Sequence, residues 1–230
     1  MAPGIVHFSQ PVTLLGGGEA TPGDVKEALH HAPNVAAADG GASLALQMGL
    51  VPEAVIGDMD SLSPSARAAI APQNLHRLKE QDSTDFDKCL RSIDCPLVLG
   101  VGFTGARLDH QLAAFSTLLR YPARRCVLLG REEIVFLAPA YLSITLPVGS
   151  RLSLFPLRAT GASSTGLSWP LDGLTLAPGG RIGTSNEVRD ETVELHCDQP
   201  GLLMLLPRAA LGAAIPAVLG ARPHAPAPAP

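Results

Sequence analysis

Aromatic side chains are scarce in this chain, at 4% of 230 residues, and Trp169 is its only tryptophan. Alanine, leucine and valine must therefore do most of the packing, which makes Trp169 a residue to follow. Positive charge is also thin: 17 basic residues stand against 21 acidic ones, with no basic run or stripe. That excludes the electrostatic footprint of a duplex nucleic-acid binder. The four cysteines (Cys89, Cys95, Cys126, Cys197) form no CxxC pair and no zinc spacing, so reduced, buried or inert thiols are expected. The opening "MAPGIVHFSQPVTLL" has no basic leader followed by an unbroken apolar stretch, and no secretory signal is expected. Long apolar runs are missing too. The most membrane-like stretch, "LLMLLPRAALGAAIPAVLG" (202–220), is broken by Pro207, Arg208 and Pro216, whereas a spanning helix needs about 20 mostly apolar residues. It reads as a last core strand followed by a small-residue tail. A cytoplasmic protein without a membrane partner is the expectation. Two phosphate motifs are absent as well: there is no GxxxxGK[ST], and "GGGEATPG" puts Thr21 where the dinucleotide fingerprint needs its third glycine.

What is present is an alternation. "VTLL", "NVAAAD", "EAVIGD", "LHRLKE", "PLVLGVG" and "CVLLG" are strand-length apolar runs, and the first five are followed by helix-like segments. Thr21-Pro22 and Ser63-Pro64 supply a cap and a first-turn proline, Gly49 a helix stop. Leu108, Leu112, Phe115 and Leu119 recur at helical spacing. This predicts an α/β domain over 1–137, with a mostly parallel sheet and flanking helices. From 138 the texture changes to short runs punctuated by Gly, Pro and Ser, and an all-β sandwich over 138–210 is expected. Residues 211–230, ending "ARPHAPAPAP", read as an Ala/Pro-rich tail with no packing face.

The acidic residues fall on this scheme in a pattern. Asp39 ends one strand, Asp58 and Asp60 follow another, Asp82 and Asp85 precede a helix, and Asp109 sits in the first turn of the next. All lie where a strand gives way to a helix, and in an open parallel sheet those junctions share the carboxyl edge where ligands bind. Several carboxylates in one crevice raise one another's pKa or require a cation, and hard oxygen ligands suit magnesium beside phosphates. "LLGGGEA", "GFTGAR" with Arg107, and Lys88 are groups suited to phosphate on the same edge. A metal–nucleotide site follows. "VIGDMDSL" also resembles the strand end of aspartyl-nucleophile phosphatases, but Leu62 stands where those enzymes want Thr or Val. A DxD-type metal-dependent nucleotide-sugar glycosyltransferase stays open on composition alone.

The strings "ADGGA" (38–42), "IGDMDS" (56–61), "QDSTDFDK" (81–88) and "TGARLDH" (104–110), followed by "GLSWPL" (166–171) and "GTSNEV" (183–188), resemble thiamine pyrophosphokinase. The resemblance runs over residues 12–206. It implies an N-terminal α/β domain, a C-terminal β-sandwich that binds thiamine and dimerises, and a homodimer with active sites at the subunit interface. It further implies Mg²⁺-dependent transfer of pyrophosphate from the co-substrate ATP to the hydroxyl of thiamine, giving thiamine diphosphate and AMP. Carried over residue by residue, Asp58, Asp60 and Asp85 hold the metal. Gln81, Asp82, Thr84, Lys88 and Arg107 contact the ATP phosphates, and Asp39, Gly40 and Gly41 form part of the nucleotide pocket. Asp109 and His110 meet the thiamine hydroxyl, with Asp109 the candidate proton acceptor. Trp169, from the partner subunit, packs on thiamine, while Ser185 and Asn186 hold its pyrimidine ring. Met59 replaces a usual aromatic and should change packing only; Phe103 and Ala106 are the other departures. A thiamine- or nucleotide-binding regulator without turnover is the non-enzymatic alternative, and the retained acids disfavour it.

Overall fold

The structure, a computed structural model, describes residues 4–105 and 107–225. Ala106 and the last five residues of the Pro-Ala end lie outside the described residues. Two compact units divide the chain, Met1–Thr117 with Leu128–Gly130, and Leu118–Val127 with Arg131–Pro230.

The first unit carries, in order, β1 (Val6–His7), β2 (Val12–Leu15), α1 (Pro22–His31), β3 (Asn34–Ala38), α2 (Gly41–Gln47), β4 (Ala54–Gly57), α3 (Pro64–Ala69), β5 (Leu75–Arg77), α4 (Asp85–Ser92), β6 (Ile93–Asp94), β7 (Val98–Val101) and the start of α5 (Leu108–Arg120). Its strand pairs are parallel: β2 with β7, β3 with β4, β4 with β5, and β1 with β6. Parallel neighbours need a crossover, and the helices supply it. Strands β2, β4 and β7 are buried along their whole length, which explains why they read as unbroken apolar runs. Helix starts follow the local chemistry. The Thr21 hydroxyl accepts from the Asp24 N–H while the Asp24 carboxylate accepts from the Thr21 N–H, and Ser63 accepts from the Ala66 N–H. Gly49, at φ +73°, closes α2.

After β8 (Cys126–Leu129), the second unit contains β9 (Glu133–Leu137), β10 (Tyr141–Thr145), β11 (Arg151–Pro156), β12 (Thr160–Thr165), β13 (Leu174–Leu176), β14 (Gly183–Glu187), β15 (Thr192–Cys197) and β16 (Leu202–Pro207). They pair antiparallel in the orders β10-β15-β12-β13 and β14-β11-β16-β9. Burial alternates along β10 and β15, so Leu142, Ile144, Val193 and Leu195 turn inward. The α/β-then-all-β order is thus as expected, but two boundaries move. β9 pairs with β16, so the second unit takes up residues before 138. Residues 211–220 are not a featureless tail: they form α6 (Leu211–Gly220), which packs against β10 and buries Leu211, Ala214, Ile215 and Val218. Those four positions are one helical stripe, which Pro216 conceals from a reading that takes proline as a helix stop. The Arg125 Nε donates to the Val218 carbonyl at 3.0 Å, satisfying one of the last carbonyls of α6. Among the described residues no helix is long and apolar enough to cross a membrane.

Candidate metal and nucleotide site

Strands β3 and β4 end side by side, and their last residues set the site. Asp39 follows β3 at φ +34° with no solvent exposure; Asp58 follows β4. Next comes Met59 at φ +67°, a left-handed turn that non-glycine residues seldom make. It sends the Met59 side chain into a buried cluster with Ala37, Ala42, Val55, Leu62, Ala66 and Ile70, which is the packing role expected of it. Asp58 and Asp60 are left on the open side. One ligand oxygen from each of Asp39, Asp58 and Asp60 lies within 4.8 Å of the other two. Backbone and hydroxyl donors fix them: Asp60 N–H to Asp58 Oδ1 at 3.2 Å, Ser61 N–H to Asp39 Oδ2 at 3.3 Å, Ser61 Oγ to Asp60 Oδ1 at 2.9 Å. Gly57 permits this crowding. A methyl there would sit 2.8 Å from the Asp39 Cβ and 3.2 Å from the Asp85 Oδ1.

Asp85 opens α4, whose first N–H groups are capped by Thr84 accepting from the Asp87 N–H. One turn later comes Lys88, with 2% of its side chain exposed. Its Nζ donates to the Asp85 Oδ1 at 3.1 Å and stands 3.9 Å from the Asp58 Oδ2. Gln81 Nε2 donates to the same Asp58 oxygen at 2.8 Å. The electrostatics divide accordingly. The Gln81 amide, the Asp60 N–H and, further down, the Lys88 charge hold Asp58 at about 2. Burial pushes Asp39 up to about 6; the Ser61 N–H opposes this, and the Asp85 and Asp58 charges add to it. Burial pulls the Lys88 ammonium down, but Asp85, Asp58 and Glu80 outweigh it and keep it above its ordinary value. The Asp39 Oδ1 is buried with no hydrogen-bond partner. An oxygen left bare beside two further carboxylates fits a hard divalent cation or, without one, a proton shared with Asp58.

Around these acids opens a cavity of about 780 Å³, lined among others by Gly17, Gly18, Glu19, Gly40, Arg107 and His110. Gly16, Gly18 and Gly41 serve backbone packing, whereas Gly17 and Gly40 line the cavity without such close neighbours. A Cβ on Gly16 or Gly18 would lie 2.6 Å from the Gly102 carbonyl, and one on Gly41 2.0 Å from the Leu15 carbonyl. Arg107 and Asp109 are both exposed and bound to each other, Nη2 to Oδ2 at 2.6 Å, and the Arg107 hydrogen bond holds Asp109 below the usual carboxylate range. Asp82 is exposed and does not line the cavity. Of the predicted residues, Asp39, Asp58, Asp60, Gln81, Asp85 and Lys88 come together. Thr84 is occupied as a cap, and Gly41 packs under the loop. Ser61 and Glu19 stood inside quoted strings, but their contacts, Ser61 bridging two carboxylates and Glu19 facing Gly105, needed the fold to show them.

The second unit has its own cavity, of about 320 Å³, walled by Trp169, Leu171, Leu174, Leu176, Arg181 and Ile182, with Ser185 and Asn186 beside them. Trp169 is 61% exposed, so it is not a core tryptophan. Asn186 is buried and its amide clasps the backbone of Trp169: Oδ1 accepts from the Trp169 N–H at 3.2 Å, and Nδ2 donates to the Trp169 carbonyl at 2.7 Å. Its oxygen also accepts from the Glu187 N–H at 2.8 Å. Asn186 therefore holds the backbone of Trp169 while also lining the cavity. Ser185, at φ +59°, is exposed, and its N–H donates to Ser153 Oγ at 3.0 Å.

Residues 25–129 match the family model described as thiamin pyrophosphokinase, catalytic domain, and residues 143–202 the one described as thiamin pyrophosphokinase, vitamin B1 binding domain. Thiamine pyrophosphokinase 1 of Oryza sativa subsp. japonica is 31% identical over 172 residues, 66% of this chain and 65% of the relative. Thiamine pyrophosphokinase 1 of Arabidopsis thaliana is 29% identical over 175 residues, 68% and 66% of the two chains. The chain thus spans just under two thirds of these relatives' length. Among solved structures, a thiamin pyrophosphokinase from Candida albicans superimposes with a TM-score of 0.72 at 15% identity, covering 90% of this chain and 94% of its own. A protein from Lactobacillus plantarum does so at 0.71 and 26% identity, covering 87% and 99%. Neither the nucleotide-sugar transferase nor the non-catalytic regulator gains support from these likenesses.

Proposed function

Because this chain belongs to the thiamine pyrophosphokinase family, we propose that it transfers the pyrophosphoryl group of ATP to the hydroxyl of thiamine, giving thiamine diphosphate and AMP. The observation that carries the reading is the unpartnered, buried Asp39 Oδ1 among the Asp58 and Asp60 carboxylates, at the strand ends of a parallel α/β unit. Asp58, Asp60 and Asp39 would hold Mg²⁺; when bound, the ion supplies positive charge to the phosphate oxygens. The metal set expected from resemblance shifts by one member, since Asp85 is engaged by Lys88.

The rest of the chemistry belongs to side chains at the mouth of the cavity. The thiamine hydroxyl oxygen attacks the β-phosphorus, the bond from that phosphorus to the α-bridging oxygen breaks, and AMP leaves. Arg107, 67% exposed, can swing from Asp109 to the phosphates and neutralise charge as AMP departs. That swing also removes the group that holds Asp109 below the usual carboxylate range, leaving its oxygens free to accept the hydroxyl proton when the arginine engages ATP. In the second unit the indole of Trp169 offers a face to the thiazolium and pyrimidine rings, a cation–π contact.

We further propose a homodimer in which the Trp169 pocket of one protomer serves the acidic cavity of its partner. Incubation with ATP, Mg²⁺ and thiamine should yield AMP and thiamine diphosphate in equal amounts; ADP or free phosphate as the only nucleotide-derived product overturns the activity. Assayed at thiamine well below KM, a mixture of Asp58→Asn and Trp169→Ala protein should run faster than the mean of the two variants alone, because about a quarter of the sites in randomly formed symmetric pairs are then intact. No recovery after subunit exchange overturns the shared site.

A further inference from the structure

Lys88 was expected to touch ATP phosphates, yet its side chain is 2% exposed and its ammonium faces two carboxylates: 3.1 Å to Asp85 Oδ1 and 3.9 Å to Asp58 Oδ2. We infer that Lys88 is a built-in cation that occupies the place a second divalent ion would take between Asp58 and Asp85, and so limits the free protein to one metal ion. The inference rests on the metal site proposed above.

Four carboxylates, Asp39, Asp58, Asp60 and Asp85, crowd this corner, aided by the missing side chain at Gly57. Full ionisation demands more positive charge than one divalent ion supplies. Two-metal phosphoryl-transfer sites meet such demand with ions about 3.5–4 Å apart that share a carboxylate. Here Asp58 is the shareable group, placed between the Asp39–Asp60 side and the Asp85 side. On the first side Asp39 Oδ1 is bare, with no protein donor to satisfy it. On the second side the position is filled by an ammonium that helix α4 delivers from three residues after Asp85, a spacing that keeps both on one helix face. A lysine meant to follow a mobile triphosphate would keep its three donors free in the cavity, whereas this one points at acids. Lys88 is therefore a positioning residue: it fixes Asp85 and Asp58 and sets how many ions the corner takes.

The test is a Mn²⁺ titration without nucleotide, with bound ions counted by the loss of the free-ion electron paramagnetic resonance signal. Wild-type protein should bind one ion. Lys88→Met, which keeps the stem and removes the charge, should bind two, and the pair should show mutual magnetic broadening because both ions touch Asp58. Lys88→Arg should return the count to one. Two ions on the wild type, or one on a folded Lys88→Met protein, overturns the inference and leaves the metal site intact. No ion on the wild type overturns the metal site itself. If Lys88→Met does not fold, the wild-type and Lys88→Arg counts still decide: one ion on each supports the inference, and two on either overturns it.

Discussion

Two cavities of this chain are assembled by opposite means. In the first unit the acidic corner is held in tension: like charges are forced together by strand ends, by a left-handed Met59 and by a glycine, and one oxygen is left without a partner. In the second unit the Trp169 pocket is at rest: a neutral amide answers the backbone of the loop it holds, and its walls mix apolar side chains with Arg181 and Ser185. Electrostatic sites are costly to form and respond to ions and pH. Hydrogen-bonded sites respond to shape. Substitutions should separate the two behaviours.

The largest effect belongs to the corner. Asp58→Asn should lower turnover about 10³-fold, the scale of losing one preorganised charge-stabilising group, and abolish the response to added Mg²⁺. The circular dichroism spectrum should not change, because the substitution relieves crowding. Retained turnover removes Asp58 from the metal shell. In the pocket, Trp169→Ala should raise KM for thiamine about 2- to 30-fold, the range of a cation–π contact, and leave KM for ATP alone. An equal rise for both substrates erases the distinction between the cavities. Asn186→Ala should act more mildly on the same constant by loosening the Trp169 loop, and should lower stability by about 1 kcal/mol, since it removes part-buried hydrogen bonds to the loop backbone. A normal melting temperature with raised KM would mean the amide meets the ligand directly.

The smallest effect is a pH signature. Burial raises the folded-state Asp39 carboxyl to about 6, above its ordinary 3.8. The folded state therefore holds its proton over a window in which the unfolded chain has lost it. Stability contributed by this group is present below about pH 4 and is lost as pH rises through about 6. In the presence of a chelator, Asp39→Asn should melt higher than wild type at pH 7 and no higher at pH 4. Added Mg²⁺ should reverse the order at pH 7, because only the native carboxylate gains from the ion.

The same contrast governs what could be read before the fold was seen. The corner was legible because its chemistry is spelled in strings at strand ends: apolar run, then acid, four times over. Asp39, Asp58, Asp60 and Asp85 were placed together by topology alone. Partner choice was not legible. Nothing in "TDFDK" says that Lys88 turns to Asp85, or that Asp39 and not Asp85 completes the trio with Asp58 and Asp60, since both depend on side-chain directions across two strands and a helix. The pocket was harder still, because Asn186 could as well face a ligand as a backbone. Helix α6 escaped because proline and alanine outweighed its apolar stripe at 211, 214, 215 and 218.

Gly57 carries a consequence for ion choice. Because only a hydrogen atom stands there, Asp39 and Asp85 close in on the end of β4, where a Cβ would lie 2.8 Å from the Asp39 Cβ and 3.2 Å from the Asp85 Oδ1. A methyl group at this position would act as a wedge between Asp39 and Asp85, so under the proposed metal site Gly57→Ala should change how the corner ranks a small ion against a larger one such as calcium. The approach of these acids is thus set at a backbone position that carries no acid of its own.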